Sequence, residues 1–104
     1  MTSKILEDAL EAWLAGQPDP PKHAKHRIAT CLDVAKEMNR ADEAHGRHYA
    51  SAHEAESVLR EEMDEFWDEV KKKKRNPGRM YEELIQVAAV ACRYASQLLE
   101  EHDV

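Results

Sequence analysis

Apolar residues along the chain recur at steps of three, four and seven, the period of helices packed by one face. In "SKILEDALEAWLAG" the stripe is Ile5, Leu6, Ala9, Leu10, Trp13 and Leu14, with Ser3 placed to cap its start and Gly16 to end it. "QPDPP" reads as a turn, and Asp19-Pro20 opens a second helix whose buried side is Ile28, Leu32, Ala35 and Met38. Gly46 either breaks that helix or lies within a longer one. A third stripe joins Tyr49, Ala52, Leu59, Met63, Phe66 and Val70, interrupted by Glu56, an acid that needs a partner if buried. "KKKKR" and Asn76-Pro77-Gly78 end it, and a last helix runs through "MYEELIQVAAVACRYASQLLEE". No strand pattern or internal repeat interrupts the series. The pattern predicts an all-α fold in one domain, 1–104, divided into an N-terminal helix and turn over 1–19 and core helices over 20–104.

The last helix breaks the one-face rule. Between Leu84 and Cys92 it is apolar on most of its circumference, so it must be covered on more than one side. A chain of 104 residues has little of its own to cover it with, and a second subunit is the expected cover. Val87, Val90, Ala91 and Tyr94 are the candidate contacts.

Composition narrows the function classes. Hydrophobic residues are 42% of the chain and charged ones 35%, with only three glycines, which suits a helical soluble protein. A net charge of −6 argues against nucleic-acid binding through a basic face. Cys31 and Cys92 form no CxxC pair and read as small buried residues in a reducing compartment. "MTSKILEDAL" carries charges within its apolar part, unlike a signal peptide, and "VAAVAC" is far shorter than a membrane span. A cytoplasmic protein without membrane contact is expected.

The charge is unevenly placed. In "LREEMDEFWDEV", Glu61, Glu62, Asp64, Glu65, Asp68 and Glu69 face only Arg60 within the stretch. Like charges at helical spacing destabilise a helix by roughly 0.2–0.5 kcal/mol per pair. Glu62 and Glu65, three apart, share a helix face, and Glu61 reaches the same region from one turn away from Glu65. Glu82 and Glu83 begin the last helix just beyond the turn. Carboxylates from two facing helices are hard oxygen donors, suited to Mg²⁺ or Mn²⁺. The plainer alternative is a solvated acidic face, the usual meaning of a charge run.

"EEMDE" at 61–65 resembles the EExxE motif of the MazG-like all-α nucleotide pyrophosphohydrolases, with the helical Leu59 before it. That family continues, after a variable linker, with ExxD on the next helix, and "EELIQ" at 82–86 stands in the corresponding place. The similarity is best over roughly residues 45–100. It implies a MazG-like helical bundle completed by dimerisation, as a homodimer or dimer of dimers. It also implies Mg²⁺-dependent hydrolysis of a nucleoside triphosphate to monophosphate and pyrophosphate, a house-cleaning activity. Glu62, Glu65 and Glu83 would then be metal ligands, and Glu61 a further ligand or the group that orients the attacking water. The family's Asp is Gln86 here, whose amide oxygen can ligate a metal but brings no negative charge. Two further function classes stay open: a catalytically weak regulator that binds nucleotide or metal, and a purely helical interaction protein.

Other residues have two readings each. Lys74 and Arg75 in "KKKKR", with Arg79, are either a solvated helix end or phosphate contacts above the metal. Arg93, seven residues after Gln86, meets a phosphate or pairs with an acid of the neighbouring helix. Trp67 is a structural tryptophan of the interhelical or dimer core, or a base-stacking platform. His45, His48 and His53 are spaced by three and five and form no metal-binding pair, so surface positions are expected.

Overall fold

The computed structural model describes residues 3–16 and 23–102, apart from the side chains of Ser3 and Leu6. The described residues form four α-helices and no strand: α1 (Ser3–Ala15), α2 (Ala24–His45), α3 (Ala52–Val70) and α4 (Pro77–His102). The Asp19-Pro20 helix start lies outside the described residues. None of the described helices is long and apolar enough to cross a membrane.

Each boundary has a local cause. Gly46 ends α2 with φ +87°, a left-handed value that costs glycine little, and its N–H donates to the Asp42 carbonyl at 2.8 Å. The alternative of one continuous long helix is therefore excluded. Ser51 caps α3 by accepting from the Glu54 N–H at 3.1 Å, while the Glu54 carboxylate reaches back to the Ala50 N–H at 2.8 Å. This exchange is close to a capping box, and "SAHE" carried the signal for it. Asn76 opens α4, its Oδ1 accepting from the N–H groups of Gly78 and Arg79 at 3.0 and 3.2 Å. Pro77 then occupies the first helical position, so Pro77 and Gly78 belong to the helix rather than to the turn before it.

α4 is the centre of the fold. It packs against α3 on one side and α2 on the other; α2 and α3 do not pack on each other, and α1 packs against α2 alone. The core is thin. Tyr49, Ala55 and Val90 are buried together, with Val58, Leu59 and Tyr94 half-buried against them, and Ile85, Ala89, Ala41 and Leu14 are buried elsewhere.

Several expected core positions lie at the surface. Met63, Trp67, Ile5 and Trp13 are exposed, as is Ala52. α3 has only α4 to pack against, so its buried stripe is narrower than the apolar pattern. Cys31 and Cys92 are also exposed and do not fill the core: they lie on the helix faces that no other described helix covers. Glu56 is exposed too, and pairs with Arg60 one turn along the same helix rather than entering the core.

Candidate metal centre

Helical spacing brings three acids together. Glu62 and Glu65 lie one turn apart on α3, and Glu83 sits in the second turn of α4, which folds back beside it. Each offers a carboxylate oxygen within 4.8 Å of the others. Glu62 and Glu83 are half-buried, and each has one buried oxygen, Oε2, without a hydrogen-bond partner. Such orphan acceptors are uncommon in native structures and call for a ligand, an ion or a proton. Burial pushes the Glu62 carboxyl up to about 7, with the nearby charges of Glu65, Glu83 and Glu61 adding to the shift. Burial raises Glu83 as well, followed by the charges of Glu65 and Glu69, against the lowering effect of Arg79.

Glu62 also borders a cleft of about 380 Å³ between α2 and α3, floored by α4. Glu61 and Gln86 line it, as do Val58, Ala89 and Val90 as its apolar surface. From α2 come Glu37 and Arg40, which no motif had marked, and the exposed His45. Their signal was faint: Glu37 is one turn before the buried Ala41, on the face that meets α4.

The basic candidates separate. The Arg79 charge acts on Glu83, so it stands beside the carboxylates. Lys74 and Arg75 lie on the exposed turn after α3, where the Arg75 Nε donates to the Val70 carbonyl at 2.6 Å. Arg93 is buried and engaged: it donates to the Asp42 carboxylate at 2.9 Å, the Tyr49 hydroxyl at 3.0 Å and the Gly46 carbonyl at 2.6 Å. Its guanidinium also lies 5.0 Å from the centre of the Tyr49 ring. Of its two readings, the ion pair with a neighbouring helix is the one the structure realises.

Beside it Gln97, equally buried, accepts from the Tyr49 N–H at 2.8 Å and donates to the Tyr49 carbonyl at 2.9 Å. Sequence reasoning missed this strap, although two polar residues four apart in an apolar helix were its trace.

Trp67 does not line the cleft. Five residues beyond Glu62, it stands about 140° around the helix from it and is 56% exposed. His45, His48 and His53 are all exposed, and no histidine joins the acidic cluster among the described residues.

Compared with known proteins, the chain matches no family model, no curated protein and no solved structure.

Proposed function

We propose that the protein is a Mg²⁺-dependent nucleoside triphosphate pyrophosphohydrolase of MazG-like type, cleaving a nucleoside triphosphate to monophosphate and pyrophosphate. The observation that carries this reading is the convergence of Glu62, Glu65 and Glu83 from two facing helices, with two buried carboxylate oxygens left without partners. Carboxylates are the donors a hard divalent cation selects, so the residues present fit Mg²⁺ or Mn²⁺. When bound, the cation neutralises phosphate oxygens and makes a bound water more acidic.

The chain's own groups divide the remaining work. Glu61, exposed on the cleft wall beside Glu62, orients a water for attack on the α-phosphorus and takes its proton. The new P–O bond forms as the bond to the bridging oxygen of the β-phosphate breaks, and pyrophosphate leaves. Arg79 stands where it offsets charge on the phosphates near Glu83. The cleft between α2 and α3 takes the nucleoside.

A second copy of the chain completes the fold in this reading. Of the expected contacts, Val90 is buried in the chain's own core with Tyr94 packed against it and Val87 is half-buried, whereas Ala91 joins Leu84, Cys92, Ala95 and Leu99 in an exposed, largely apolar stripe on α4, and Met63 and Trp67 leave another on α3. Sedimentation at micromolar concentration is expected to show a homodimer or a dimer of dimers; a stable folded monomer would remove this part.

Pyrophosphate release from a panel of nucleoside triphosphates in Mg²⁺, lost in Glu62→Gln, is the expected result for the activity. Thermal stabilisation by Mg²⁺ and nucleotide without turnover would mark a binding regulator instead. No response to either would leave a helical interaction protein.

A further inference from the structure

Gln86 is the residue at which this chain parts from the motif it resembles, and it lines the cleft together with Glu37, which α2 brings there. Glu37 in turn holds Arg40, accepting from Nε at 2.8 Å on one oxygen and from Nη2 on the other.

This pair differs from the other ion pairs within helices. The acids of Lys4–Asp8, Arg60–Glu56 and Lys71–Asp68 are 58%, 56% and 59% exposed, as solvated surface pairs are. Glu37 is 12% exposed, while the Arg40 side chain it grips remains 57% exposed at the cleft. A shielded carboxylate that orients an open guanidinium is the arrangement of a support and the group it supports. Lys72–Glu69 shares the burial pattern, but neither residue lines the cleft.

Donor geometry says what Arg40 presents. Guanidinium carries five N–H groups in a planar fork. Glu37 takes Nε and one N–H of Nη2, and no acceptor among the described residues meets Nη1. The edge left free is the Nη1–Nη2 edge, two parallel N–H groups matched to two oxygens of a phosphate. Arg40 and Glu62 line the same cleft, so the guanidinium and the acidic cluster border one space.

We propose that Arg40 grips the phosphate chain of the bound triphosphate from the α2 wall, and that Glu37 is a positioning residue that holds it there. The proposal rests on the pyrophosphohydrolase reading and adds a phosphate contact that the acidic motif does not contain. It also accounts for an amide at position 86. An aspartate there would set a second negative charge in the cleft that Glu37 lines, which an amide avoids.

Calorimetric titration of inorganic tripolyphosphate in the presence of Mg²⁺, and of Mg²⁺ alone, tests this without relying on turnover. Arg40→Gln is expected to weaken tripolyphosphate binding on the order of tenfold or more, as loss of a bidentate charged contact does, without weakening Mg²⁺ binding. Arg40→Lys, which keeps the charge and loses the fork, is expected to fall between it and the natural protein. Glu37→Gln is expected to weaken binding several-fold in the natural background and not at all in the Arg40→Gln background, because it acts through Arg40. Natural-strength tripolyphosphate binding in Arg40→Gln would overturn the proposal and leave the pyrophosphohydrolase reading standing. A Glu37→Gln loss that persists undiminished without Arg40 would overturn the positioning role. If the natural protein binds neither Mg²⁺ nor tripolyphosphate, the reading itself fails and the proposal with it.

Discussion

Two polar clusters lie along α4, and they are built in opposite ways. Toward its C-terminal half, Arg93 and Gln97 are buried with their donors and acceptors engaged by Asp42, Gly46 and Tyr49. Toward its N-terminal half, Glu83 meets Glu62 and Glu65, and buried oxygens of Glu62 and Glu83 have no partner at all. A closed network holds the fold: it ties the loop between α2 and α3 down onto α4. The open cluster is electrostatically costly by itself, since like charges are gathered where water is partly excluded. Polar burial with every bond made is a structural feature, and polar burial with bonds missing points to something that binds.

The largest effect expected from breaking this contrast lies in the closed network. Arg93→Met strands the Asp42 carboxylate and the acceptors at Gly46 and Tyr49, and breaking a buried pair of this kind costs about 3 kcal/mol or more. Urea denaturation of the metal-free protein would measure it. In the open cluster the sign reverses. Glu83→Gln removes repulsion, so the metal-free protein is expected to be as stable as before or more so, while Mg²⁺ affinity falls roughly 10²-fold, as when one charged contact is lost. A pair of titrations, one with denaturant and one with Mg²⁺, separates the two clusters by sign alone.

Proton linkage sharpens the same contrast. The folded state raises the Glu62 carboxyl to about 7, above its ordinary value, so between pH 4.5 and about 7 the folded chain binds more protons than the unfolded one. Stability of the metal-free protein should therefore fall as pH rises through that range, by about 1 kcal/mol once solvent screening of a half-buried group is allowed for. Saturating Mg²⁺ should flatten the dependence, because it takes the proton's place. Thermal melts across that range, with and without Mg²⁺, would reveal a pH-independent open cluster if the expectation is wrong. The smallest effect belongs to neither cluster. Glu56→Gln breaks an exposed pair with Arg60 and is expected to change stability by less than about 0.5 kcal/mol.

Much of this was legible in the chain. Steps of three, four and seven predicted four helices, but left open whether Gly46 ends the second and placed Pro77 and Gly78 in the turn before α4 rather than inside it. The acidic centre was legible in part: Glu62 and Glu65 share a face by helical spacing, while Glu83 was singled out by the family resemblance, the turn leaving open how deeply the two helices pair. Where the apolar stripes overstated the core, as at Met63 and Ala52, periodicity showed which residues share a face but not how much of that face a neighbour covers.

The sequence by itself determined the helices and the shared face of Glu62 and Glu65, because each depends on contacts within one helix, whereas the meeting with Glu83 depended on how deeply α4 pairs with α3. Only the tertiary structure decided what α2 contributes. It set Glu37 beside Gln86, opened a cleft by keeping α2 and α3 apart, and turned Arg93 inward to Asp42 and Tyr49 while leaving Arg40 at the cleft. Those pairings join residues tens of positions apart in the chain, and their register depends on how side chains interlock between helices, which no local spacing encodes.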